Sequence, residues 1–268
     1  MGARTIRLSK ITVVTLAAFL MLIFGSISAW AEEEKPEVSA DIGAFSKYVW
    51  RGYESSDDSI VIQPSITVSY KGFGFNLWGN LDTEVDGDPD DESQFNETDM
   101  TLSYDKSCGM VSIGVGYIYY GLDAMDDSEE LYLSVGLDTI LAPTLTVYRE
   151  IAHLPSWYVV FSLSHSIELS KGITLDMAGS VAYSDSDDDD FVEVDSDLNP
   201  TNDKYENFHD GLISVGLTIP LDQYFTLSPM IAYSFPLTDE SDDLITAVNG
   251  FSNDSDYVYG GVTLSMAF

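Results

Sequence analysis

Carboxylates are the residues best placed to do chemistry in this chain, and one run of them has cation-binding spacing. Asp195, Asp197, Asn199, Thr201, Asp203 and Glu206 occupy positions 1, 3, 5, 7, 9 and 12 of one window, the spacing by which a calcium loop gathers oxygens around a hard cation. Position six of such a loop needs glycine for its sharp turn, and Pro200 stands there instead. A chain this rich in acid also meets the spacing by chance. The expectation is therefore metal ligation by Asp195, Asp197, Asn199, Asp203 and Glu206, in the milder form of Ca2+ bound loosely between external loops and lipopolysaccharide phosphates. No other cofactor is expected. Nucleophilic chemistry finds little support. The histidines are His153, His165 and His209, expected at rims or interfaces. His165 lies between Ser164 and Ser166, but strand neighbours point to opposite faces and form no dyad. Neither a Gly-x-Ser-x-Gly elbow nor a His-Glu-x-x-His pair occurs, so no enzyme is expected. Cys108 is the single cysteine and has no intramolecular partner.

The elements that must position these groups read as strands. Ile60, Ile62, Pro64, Ile66, Val68 and Tyr70 alternate with Val61, Gln63, Ser65, Thr67, Ser69 and Lys71, a period of two with an apolar and a polar face. The next segment answers with Phe73, Phe75, Leu77 and Leu81 against Asn76, Trp78, Asn80 and Asp82. The pattern recurs about twelve times between Val38 and Phe268. Connections alternate in length: Lys71-Gly72, Lys106 to Gly109, Ile140 to Pro143, Leu169 to Gly172 and Pro220 to Gln223 are tight. The intervening ones are mostly longer and crowded with Asp and Glu. An outer-membrane barrel has this asymmetry, with short periplasmic turns and larger external loops. The expected fold is all-β, a transmembrane antiparallel up-and-down barrel of about twelve strands. Arg149 shares the apolar face of Leu145 and Val147, where it would snorkel at the outer rim or mark a bulge. Tyr70, Phe73, Tyr104, Tyr119, Trp157, Tyr183 and Tyr233 fall near strand ends, as in aromatic girdles.

Arg4, Arg7 and Lys10, an apolar run from Ile11 to Phe24, and Ala29-Trp30-Ala31 form an export leader over residues 1–31. Residues 32–37 make a short periplasmic segment and 38–268 the barrel, an arrangement that implies a Gram-negative outer membrane. No later run of eighteen apolar residues occurs, as a membrane helix would need. Of eleven basic residues three lie in the leader, leaving eight against 45 acidic ones and a net charge of −37. That excess rules against nucleic-acid binding and attracts cations. The last strand ends on Phe268, an end the barrel-assembly machinery reads. Expected partners are thus that machinery, outer-membrane lipid and lipopolysaccharide; the oligomeric state is open.

Ser46-Lys47-Tyr48-Val49-Trp50-Arg51-Gly52, Thr146-Val147-Tyr148, Trp157-Tyr158 and Ser162-Leu163-Ser164-His165-Ser166 together resemble the TorF-like porin family. The resemblance covers most of residues 38–268. It implies an outer-membrane barrel classed by architecture and says little about substrate. Arg149-Glu150 stands where that family would carry a Tyr-Asp type pair, and the acidic loops are unusually heavy.

The inward positions Ser65, Thr67, Ser69, Ser112, Gly114, Gly116, Ser134, Gly136, Ser180 and Ala182 are small. Eight strands leave an interior that side chains fill, and sixteen leave a channel. A twelve-stranded barrel with so small a lining points to a narrow pore for small polar solutes. Among the pore-lining candidates, Asp41, Glu97, Asp99, Asp105 and Asp176 outnumber Lys47 and Arg51, so cations are the expected preference. Lys47 and Arg51 share a face, within reach of Asp99 or Glu97 from another strand. The alternative is a closed structural or surface-interaction barrel presenting loops 184–208 and 236–256. Within the second loop, Ile245-Thr246-Ala247-Val248 would pack into the lumen or extend a strand.

Overall fold

A computed structural model describes residues 35–56, 59–83, 93–123, 125–249 and 252–268. The segment expected to be an export leader and most of the acidic stretch 82–92 lie outside the described residues. Twelve antiparallel strands close into a barrel: β1 (Glu37–Phe45), β2 (Val61–Tyr70), β3 (Phe73–Asp82), β4 (Gln94–Cys108), β5 (Val111–Leu122), β6 (Ser128–Leu137), β7 (Thr144–Glu150), β8 (Ser156–Ser170), β9 (Ile173–Ser186), β10 (Glu206–Pro220), β11 (Phe225–Pro236) and β12 (Tyr257–Ala267). Each strand pairs with its sequence neighbours. The cylinder closes where β1 pairs with β12, Ser39 opposite Ala267 and Phe45 opposite Gly261. Closure leaves no edge strand for another chain to extend.

The connections sort onto two rims. One rim holds turns as short as Lys71-Gly72 and Lys171-Gly172. In both, lysine and glycine take positive φ, at 52° and 86° and at 56° and 76°, the backbone that lets a two-residue hairpin follow strand twist. The long connections 46–60, 83–93, 187–205 and 237–256 begin and end at the other rim. Those at 123–127 and 151–155 are short even there.

Apolar positions alternate to the outside. Phe73, Ile213 and Ile231 are each more than half exposed, and many other outward apolar side chains are more than a third exposed. Left in water rather than lipid, each such side chain would forfeit roughly 1.5–3 kcal/mol, so this wall suits a bilayer. Both rims of the wall carry aromatics. Phe73 packs on Tyr104 at 4.8 Å on the turn rim. On the loop rim Tyr183 donates to Glu206 at 2.7 Å, Tyr233 to Asp256 at 2.9 Å, and Tyr119 to Asp127. Arg149 does point outward. It pairs with Asp187 at 2.5 Å beneath the ring of Trp157, so the strand needs no bulge there.

The two long loops expected to be irregular are ordered. Val192–Val194 pairs with Pro200–Lys204 as a hairpin. Asp239–Val248 is a helix, α1, rather than a strand extension. Its start is fixed by Thr238, whose hydroxyl accepts from Ser241 N while the Ser241 hydroxyl accepts from Thr238 N. Three acidic residues in the first turn suit the positive end of the helix dipole. Leu244 and Ile245 supply the buried stripe.

Candidate functional site

Burial along the inward faces is uneven, and the unevenness locates the site. On β8, Tyr158 near the loop rim is buried, Ser162 is half-buried, and Ser164 and Ser166 toward the turn rim are exposed. On β4 the sequence Thr101, Ser103, Asp105, Ser107 opens in the same direction. Buried residues on the other strands, among them Asn80, Tyr120, Glu130, Ala182, Ala232 and Tyr257, cluster toward the loop rim. The lumen is thus filled in its loop-side half and open in its turn-side half.

The filling comes from the first long loop. Val49–Trp50 and Tyr53–Glu54 form a minute hairpin whose turn, Arg51-Gly52, has positive φ at both residues, 49° and 82°. It folds inward and places the Arg51 guanidinium against Glu130, with two contacts of 2.7 Å. Glu130 also accepts from the Tyr120 hydroxyl at 2.9 Å. The guanidinium carbon lies 4.4, 4.8 and 4.2 Å from the ring centres of Trp50, Tyr148 and Tyr158, the geometry of cation–π attraction. Burial opposes the Arg51 charge, but the Glu130 carboxylate more than offsets it and raises the guanidinium above its ordinary pKa. Arg51 therefore stays a cation inside the barrel.

A bulge in β10 completes the layer. Register slips between the Val181–Gly211 and Tyr183–Phe208 pairs, and both His209 and Asp210 are buried there, where strict alternation would bury only one. A ring nitrogen of His209 lies 3.1 Å from the Arg51 carbonyl, and its other ring nitrogen 2.7 Å from the Tyr205 hydroxyl. Asp210 accepts from Tyr158 at 2.6 Å. Above them α1 presses down: a methyl group at Gly52 would sit 3.0 Å from Ile245 Cδ1.

The pore-lining candidates divide between the two halves. Asp41, Asp105 and Asp176 belong to the open half. Asp41 accepts from Ser65 at 3.4 Å, and Asp176 from Thr174 and Thr218. Asp105 lines a cavity of about 180 Å³ with Ser112, Gly114 and Ser134. Lys47, Arg51, Glu97 and Asp99 belong to the filled half. Lys47 pairs with Glu54 at 2.5 Å and Arg51 with Glu130, rather than with Glu97 or Asp99. Glu97 instead accepts from Tyr48 at 3.2 Å. The reason is reach: the loop folds across the lumen and carries Arg51 beyond β4. Among the described residues, the buried side-chain atoms without a hydrogen-bond partner are Asp99 Oδ1 and Glu150 Oε2.

The calcium-spaced residues are not brought together. Asp195 accepts from the backbone of Asp197 and Asn199 and so shapes the hairpin turn, while Glu206 holds Tyr183. Among the described residues no three acidic, histidine or cysteine side chains converge on one point. Sequence reading did not single out Glu130, Glu150, Tyr148 or Tyr158 as lumen residues, and His209, expected at a rim or interface, is buried inside the barrel instead. The alternation Glu130, Tyr132, Ser134 was the available signal for the first. The bulge that buries His209 left none. His153 does sit at the loop rim, 3.9 Å from Asp126.

A family model described as a bacterial protein of unknown function, Gcw_chp, matches residues 31–149. No curated protein matches the chain. Among solved structures, the NanC porin is similar at a TM-score of 0.51 and 9% identity, over 85% of this chain and 98% of that one. An outer-membrane channel from Pseudomonas putida F1 aligns at 0.45 and 10% identity, over 91% and 98%. The first likeness shows the fold alone, a closed antiparallel β-barrel.

Proposed function

We propose that the chain is a narrow outer-membrane channel for passive diffusion of small polar solutes, with a preference for cations and no catalytic role. The observation that carries this reading is the divided lumen. Its turn-side half is solvent-accessible and lined by small residues and by Asp41, Asp105 and Asp176. What crosses the other half is a loop, packed against side chains of the wall. A loop held by side-chain contacts can move, whereas a wall knit shut by its own strands cannot. The export leader, the apolar wall and the likeness to TorF-like porins support an outer-membrane setting.

The test is single-channel recording of the refolded barrel in a planar bilayer under a KCl gradient. The expected result is discrete steps with a cation-selective reversal potential, and larger steps when residues 49–54 are replaced by a short glycine linker. Folded protein that conducts in neither form would overturn the proposal. It would favour a closed surface barrel, a reading that the densely packed layer around His209 and Tyr205 also supports.

A further inference from the structure

We infer that the barrel wall carries a binding site for guanidinium-bearing cations, and that Arg51 is its tethered occupant. The site does not depend on the hairpin that fills it. Tyr120, Glu130, Tyr148 and Tyr158 come one each from the four adjacent strands β5 to β8. Glu130, 2% exposed, presents both oxygens to the planar fork at 2.7 Å, the bidentate arrangement a guanidinium satisfies and an ammonium or potassium ion does not. Tyr120 fixes one of those oxygens from behind at 2.9 Å. Tyr148 and Tyr158 offer their faces at 4.8 and 4.2 Å.

A flanking group on the same wall is consistent with more positive charge than Arg51 brings. Glu150 stands directly opposite Glu130 in the ladder and is 6% exposed. Its Oε1 is satisfied by Ser128, Ala152 N and His153 N, but its Oε2 is buried without a partner. A buried carboxylate oxygen left unpaired is costly unless a proton or a cation reaches it. The occupant, by contrast, is detachable. The hairpin strands are two residues each, and the turn holds a non-glycine residue at φ 49°. The hairpin is held by side-chain contacts rather than by a strand ladder to the wall, among them Lys47 to Glu54, Tyr48 to Glu97, and Trp50 and Tyr53 against Tyr120 and His209. A free guanidinium cation must therefore outcompete a tethered one, whose effective concentration is on the order of millimolar.

This deepens the channel reading by naming a solute class, and it relies on that reading only for the solute's route. The test is calorimetric titration of the refolded full barrel with methylguanidinium, alongside single-channel recording with the same probe. Arg51→Gly suits the positive φ and empties the cage. It should bind methylguanidinium at least about tenfold more tightly than the wild type, and adding Glu130→Gln should abolish that gain. Potassium at the same concentration should not compete. If Arg51→Gly fails to fold, Arg51→Lys keeps the charge, loses the fork, and should show a smaller gain. Equal binding by the wild type and either variant, or binding that survives Glu130→Gln, would overturn the cage and make Arg51 a purely structural staple. Binding without any conducting state would support the cage and sink the channel. Conducting steps with no methylguanidinium binding would do the reverse.

Discussion

At the scale of single residues, the interior is decided by where charge is placed relative to reach. Arg51 and Glu130 are 79 positions apart, yet they make the most enclosed ion pair described here. A backbone turn holds them together. Gly52 has φ +82°, and a methyl there would sit 3.0 Å from Ile245 and 3.1 Å from Asp210. Gly52→Ala therefore meets a left-handed backbone cost of about 1–2 kcal/mol and a tight contact with α1 as well. Its unfolding midpoint in urea should fall accordingly, and the Trp50 fluorescence should report a loosened hairpin. A variant as stable as the wild type would show that the turn is not held by this packing. Sequence made Arg51 a lumen candidate because it shares a face with Lys47. It did not reveal Glu130, since a carboxylate at a strand end looks like part of the acidic loop before it.

At the scale of elements, the long loops behave as small structures. The 192–204 hairpin turns at Asp195, whose carboxylate accepts from the backbone of Asn199 and of Asp197. Those bonds, Asn199 first, hold the Asp195 carboxyl below its ordinary value of 3.8. A depressed folded-state pKa contributes stability above the unfolded value and loses it as pH falls through the folded one. Amide protection at Asp197 and Asn199 should thus persist at neutral pH and disappear only below the ordinary carboxylate range. Asp195→Ala should abolish it at every pH. Loss of protection in the wild type near pH 6 would contradict this account. The alternation that predicts the strands is legible because one face meets lipid. The bulge at His209 and Asp210 is not, since one extra residue in a ladder changes no local composition.

At the scale of the whole molecule, a net charge of −34, or −37 without the expected leader, stands against a membrane leaflet expected to be rich in lipopolysaccharide phosphate. Like charges on the loop rim and on the lipid would repel unless divalent cations bridge them. Chelating calcium should therefore lower the thermal denaturation temperature of the barrel in lipopolysaccharide-containing membranes. The same treatment should leave it unchanged in phosphatidylcholine, where no phosphate-rich sugar lies beside the loops. An equal fall in both would point to a cation held inside the protein, and no fall in either would remove calcium from the account.

The barrel, its count of about twelve strands and the two unlike rims followed from the sequence alone. Each depends on a local period of two and on turn chemistry, and both survive whatever the rest of the chain does. The divided lumen, the inward fold of the first loop and the Arg51 cage were settled only by the tertiary structure. They depend on which strands stand side by side around a closed cylinder, and on how far a loop reaches across it. Neither quantity is written in any window of neighbouring residues.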